Sequence, residues 1–112
     1  MNHKRTEVMI IQTNTDNHID GNGSLKDHVS TVVTHKLGHW TDRITRVEVH
    51  LNDENGEKNG QRDHRCSMEV RPEGARPMAV THFAPDLHQA IAGAAEKLAN
   101  LVAAHFDKAL PR

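Results

Sequence analysis

Two runs of alternating side chains, held apart by a polar excursion, limit what this chain can build more than any other feature. In Ile44–Asn52, Val47, Val49 and Leu51 alternate with Arg46, Glu48 and His50. In Arg62–Pro72, Cys66, Met68 and Val70 alternate with Arg65, Ser67, Glu69 and Arg71. Successive side chains on a strand point to opposite faces, so each run predicts a strand with one apolar and one wet face. Asp53–Gly60 lies between them and contains Asn-Gly twice, which predicts a hairpin loop. A hairpin with one apolar face requires a cover.

The flanking sequence supplies that cover. Glu7–Thr13 is apolar and rich in β-branched residues and predicts a first strand; Asn14–Gly23, with its Gly and Asn residues, predicts a loop. Ser24 opens the pattern SLKD, which resembles a capping box with Asp27 at the third helical position. Leu25, Val29, Val32, Val33 and Leu37 then share one helical stripe, and Gly38 is placed to end the helix. Trp40 follows at once and is expected to fold back on the core. After the hairpin, Pro72–Pro77 predicts a turn and Met78–Phe83 a fourth strand. Pro85 suits the first turn of a last helix, whose apolar stripe is Leu87, Ala90, Ile91, Ala94, Leu98, Leu101 and Val102.

The predicted order is β-α-β-β-β-α, an α+β fold. A right-handed first crossover makes strand one parallel to its partner, and hairpins make the rest antiparallel. Two helices on one face of a four-stranded mixed sheet bury every apolar stripe. At 112 residues the chain is read as a single domain, 1–112, with a thin core, since hydrophobic residues are 36% of it.

Composition removes several function classes. No apolar run approaches bilayer length, and the start MNHKRTEVMII has neither a long apolar segment nor a cleavage site. No membrane association is expected, and the location is expected to be cytoplasmic. One cysteine, Cys66, excludes an internal disulfide and a Cys-built zinc site. It alternates with the core side of its strand and is expected to be an inert buried thiol. Asp53 and Glu54 are adjacent acids in a loop, with nothing to desolvate them. Gly21-Asn22-Gly23 is too short for a phosphate loop and lacks its lysine. No enzyme, metal or cofactor is read.

Five segments in this order and spacing, LKDHV at Leu25–Val29, KLGHW at Lys36–Trp40, ITRVEVHL at Ile44–Leu51, CSMEV at Cys66–Val70 and the Leu, Ile and Leu pairs within Asp86–Leu98, resemble the ribosome hibernation-promoting factor family in its short form. The resemblance covers nearly the whole chain. It implies a topology like that of double-stranded-RNA-binding domains. It also implies a ribosome-associated translation inhibitor that binds small-subunit ribosomal RNA, in the channel for messenger and transfer RNA, during stress or stationary phase. Such binding uses phosphate contacts and shape rather than base reading. By position, Lys26, Lys36 and Lys97 match basic positions of that family. His28, and Lys108 from its place on the flank, join them as expected phosphate contacts, with Arg62 and Arg65 at the hairpin edge as weaker candidates.

Charge qualifies this picture. Fourteen Lys and Arg face fifteen Asp and Glu, and the outer side of the last helix reads Gln89, Gly93, Glu96, Asn100, Ala103 and Asp107. The alternative reading is therefore a protein-interaction module of the same fold that has lost most of its RNA-binding surface, with weak self-association. The wet sheet face mixes Arg46, Arg65 and Arg71 with Glu48 and Glu69, which predicts cross-strand ion pairs rather than an RNA surface. Ten histidines are the compositional oddity. Between pH 7.5 and 6 they would add roughly seven positive charges, so ribosome binding is expected to tighten as pH falls. His28, His35 and His39, at spacings of seven and four, form a second grouping that would define a metal-responsive protein.

Overall fold

In the computed structural model, the described residues are 9–16, 19, 22–53 and 64–109, with side chains described through residue 107. They form one four-stranded sheet and two helices: β1 (Ile10–Thr15), α1 (Gly23–Leu37), a 3-10 turn (Gly38–Arg43), β2 (Ile44–Asp53), β3 (His64–Pro72), β4 (Met78–Ala84) and α2 (Leu87–Ala109). The strand order is β1-β2-β3-β4, with β1 parallel to β2 and the other pairs antiparallel. The α+β architecture expected from the sequence is therefore the one observed. Asp53 of the expected hairpin loop ends β2; the rest of that loop, together with Arg62, lies outside the described residues.

The core lies between one sheet face and the two helices. Val47, Val49, Leu51, Cys66, Met68 and Val70 meet Val29, Val33 and Leu37 of α1 and Ala90, Ile91, Ala94, Leu98 and Val102 of α2. All are essentially out of solvent. Each fully buried Val, Leu or Ile contributes about 1.5–3 kcal/mol relative to exposure. The odd spacing of Ile44 and Val47, both buried, is reconciled by a register shift at Thr45, whose hydroxyl donates to the Arg71 carbonyl at 3.1 Å. An extra residue there keeps both side chains on the core side.

Several local expectations change. The helix cap is Asn22 rather than Ser24: the Asn22 side-chain oxygen accepts from the Leu25 N–H at 2.9 Å. With the helix opening at Gly23, Asp27 is the fifth helical residue, two positions too far in to complete a capping box. Pro85 precedes α2 rather than entering it, and Asp86 caps the helix by accepting from the Gln89 N–H at 2.8 Å. β1 runs two residues further than expected, to Thr15, because Asn14 and Thr15 continue the parallel ladder onto His50 and Leu51.

Gly93 is not on the outer side of α2. A Cβ there would lie 2.2 Å from Cδ2 of His82, so the missing side chain lets the helix sit close to β4. Gly38 does end α1, at φ +58°, a left-handed conformation suited to glycine. The chain then turns back as expected: Trp40 stacks on Phe106 of α2 at 4.8 Å, and the Arg43 guanidinium lies 4.4 Å over the same Phe106 ring. This clamp ties the segment after α1 to the far end of α2. Such ring pairs add about 0.5–1.5 kcal/mol beyond area burial.

Candidate nucleic-acid interface

The sheet gives the molecule two unlike sides. On the open side, the two arginines with described acidic partners are engaged. Arg46 Nε donates to Glu48 Oε2 at 2.9 Å, and Arg71 Nη2 lies 3.8 Å from Glu69 Oε1. The hydrogen bond from Arg46 holds the Glu48 carboxyl below the usual carboxylate range. Arg65 donates through Nη2 to Asn52 Oδ1 at 3.1 Å, and its register partner is Phe83. The face is ion-paired, but not across strands as expected: each pair lies along one strand, Arg46–Glu48 in β2 and Arg71–Glu69 in β3, because the register sets Arg46 opposite Arg71 and Glu48 opposite Glu69. It also exposes Ile10 and Phe83, at 53% and 52%.

The helical side carries the other candidates. Lys26 and Lys36 are exposed at opposite ends of α1, ten residues and so about 15 Å apart along the axis. Lys97 is exposed on α2, but its Nζ donates to the Thr81 carbonyl of edge strand β4 at 2.9 Å. That leaves two of the three ammonium donors for another partner and covers part of a strand edge. Lys108 belongs to α2, and its side chain lies outside the described residues.

Fixed charge on this side nearly cancels. Among the described side chains, Lys26, Lys36, Arg43 and Lys97 are set against Asp27, Asp42, Glu96 and Asp107. Five of the ten histidines, His28, His35, His39, His88 and His105, lie in the same three segments. Protonation of histidines is therefore what would make this side cationic.

The histidine grouping read from helical period does not survive. Helix α1 ends at Leu37, and His39 lies in the 3-10 turn with its ring 4.3 Å from Trp40. His28 instead meets a residue sixty positions away: His28 Nε2 and His88 Nδ1 are 3.2 Å apart, with the rings edge to face at 4.5 Å. No local signal could have linked them, because only the packing of α1 on α2 brings the two helix starts together. Burial pushes the Cys66 thiol up to about 12, so it is inert as expected. Among the described residues, no helix is long and apolar enough to cross a membrane.

A small α+β module that carries lysines and histidines on its helical side offers a surface suited to binding. The family follows from the sequence: the chain belongs to the Sigma 54 modulation protein / S30EA ribosomal protein family, whose model matches residues 12–109. The resemblance read from five short segments is thereby established. Membership makes the protein a ribosome-associated, non-enzymatic factor. A ribosomal subunit interface protein from Coxiella burnetii shares the fold, with a TM-score of 0.72 and 13% identity over 88% of this chain and 99% of that one. The N-terminal domain of Protein Y from Thermus thermophilus also shares it, with a TM-score of 0.68 and 20% identity over 84% and 96%. No curated protein matches the chain.

Proposed function

We propose that this protein lays its helical side on ribosomal RNA of the small subunit, in the channel used by messenger and transfer RNA, and so silences translation in stressed or stationary-phase cells. Such a role is exercised in the cytoplasm. The family match over residues 12–109 carries the reading, and the placement of Lys26, Lys36 and Lys97 on one side of the sheet supports it. RNA recognition of this kind requires phosphate contacts and shape, both available to a module without a deep cleft.

Cosedimentation with small subunits across a salt series tests it. Three lysine–phosphate contacts give a slope of about −2 to −3 in log affinity against log salt, roughly a thirtyfold loss between 50 and 200 mM. Replacing Lys26 or Lys36 by Gln is expected to reduce that slope by about one each. Absence of binding at 50 mM salt would reject the proposal. It would favour the second reading, a protein-interaction module, for which the exposed Ile10 and Phe83 on the open sheet face are the supporting observation.

A further inference from the structure

The first turns of α1 and α2 meet beside a pocket of about 500 Å³. Asn22 and Ser24 line it from the start of α1, His28 from one turn further on, Leu87 and His88 from the start of α2, and His64 from the first residue of β3. Three imidazoles thus line the same pocket. His28 and His88 share a hydrogen bond at 3.2 Å, so at least one of them is neutral when the pocket is empty. The His64 Nδ1 is withdrawn from solvent and has no hydrogen-bond partner among the described residues. A buried imidazole nitrogen left unmatched calls for a partner.

The chemistry of the surroundings decides what kind of ligand. Among the described residues, no carboxylate lines the pocket. The described charged neighbours, Lys26 and Asp27 on α1, Arg65 beside His64, Asp86 ahead of α2 and Asp53 opposite His64 in the β2–β3 ladder, are not among its lining residues. Two helices of 15 and 23 residues begin here, each with the positive end of its dipole. Two nitrogens 3.2 Å apart are also close to the separation of two imidazoles bound at 2.0–2.1 Å to one tetrahedral metal ion. A cation would however face both positive helix ends, and no set of three His, Cys, Asp or Glu able to hold a metal occurs among the described residues. The surroundings favour an anion.

We propose that this pocket binds a phosphate group and takes up protons as it does so. Both members of the His28–His88 pair can be charged at 3.2 Å only when an anion stands against them, so proton uptake and anion binding assist each other. His64 then gains the partner it lacks. The phosphate is that of the RNA backbone, an assignment that rests on the ribosome-binding reading above. The pocket itself does not depend on that reading.

The test uses the full chain and inorganic sulfate, a tetrahedral oxyanion that does not itself titrate near neutrality. Imidazole signals of His28, His64 and His88 are followed by NMR as sulfate is added at pH 7.5 and at pH 6. An ordinary imidazole goes from roughly a tenth to three quarters protonated over that range, so each proton taken up strengthens binding roughly eightfold. The expected result is binding at least eightfold tighter at pH 6, lost in His28→Gln and His88→Gln and kept in His35→Gln. Glutamine retains a hydrogen-bonding side chain, and a melting curve confirms that each variant folds. Binding equal at the two pH values, or unchanged in both pocket variants, would overturn the proposal. A zinc titration supplies the opposite sign: metal capture needs neutral imidazoles, and tight zinc binding at pH 7.5 without any sulfate response would show a metal site instead. For the RNA arm, His28→Gln/His88→Gln is expected to weaken cosedimentation with small subunits, by a larger factor at pH 6 than at pH 7.5. Sulfate binding with undiminished cosedimentation at pH 6 would overturn the RNA assignment alone.

Discussion

Placing a methyl group at position 93 probes how α2 is seated on the sheet. In an exposed helix interior, Gly→Ala stabilises by about 1 kcal/mol through backbone entropy. Here the new Cβ would lie 2.2, 2.3 and 2.7 Å from Cδ2, Nε2 and Cγ of His82. Rotation about the Cβ–Cγ bond leaves Cγ where it is, so relief requires a different χ1 or a shift of the helix. Overpacking of this severity costs about 3 kcal/mol, the upper end of its usual range. Gly93→Ala is therefore expected to destabilise the protein by about 2 kcal/mol, lowering its melting temperature by about 8 °C at roughly 4 °C per kcal/mol. In a His82→Ala background the obstruction is gone, and the same substitution is expected to stabilise by about 1 kcal/mol. The coupling of about 3 kcal/mol is large for a contacting pair. Urea and thermal unfolding followed by circular dichroism, on all four members of the cycle, measure it. A stabilising Gly93→Ala in the parent, or the same effect in both backgrounds, would refute the close seating of α2 on β4.

Two further perturbations address the cap and the core. Asn22→Ala is expected to cost about 1 kcal/mol by removing the side-chain acceptor for the Leu25 N–H, whereas Ser24→Ala should change unfolding free energy by less than about 0.5 kcal/mol. The Cys66 thiol, held protonated up to about 12 by burial, contributes stability that is intact below the unfolded-state value of 9.0 and declines as pH rises toward 12. Between pH 8 and 10 the parent should lose about 1.4 kcal/mol more than Cys66→Ala in urea unfolding, and equal losses would contradict the burial of that thiol.

How much could be read from residues alone follows from the range of the forces involved. The alternation through β2 and β3 has a period of two that only a half-buried strand satisfies, and the stripes of α1 and α2 have the period of a helix, so element type and order were legible. The cap of α1 was misassigned because Asn22 and Ser24 are both good cap residues two positions apart, and the path of the preceding chain chooses between them. Pro85 was moved out of α2 because Asp86 offers a stronger cap than the ring offers a first turn. Gly93 read as a solvent-side residue on period, yet its role is set by His82 across the interface, a tertiary fact. The site was less legible than the fold. Lys26 and Lys36 are exposed as expected, but the engagement of Lys97 with Thr81, and the meeting of His28 with His88 beside His64, depend on packing between segments far apart in sequence.

The central claim concerns a side of the molecule: RNA lies against α1 and α2, not against the open sheet. Hydroxyl-radical footprinting of the protein on isolated small subunits, read by mass spectrometry, distinguishes the two. Protection is expected on peptides of α1 and α2, with the exposed Phe83 and Ile10 as reactive as in the free protein. Protection of Phe83 and Ile10 with the helices unchanged would contradict the account.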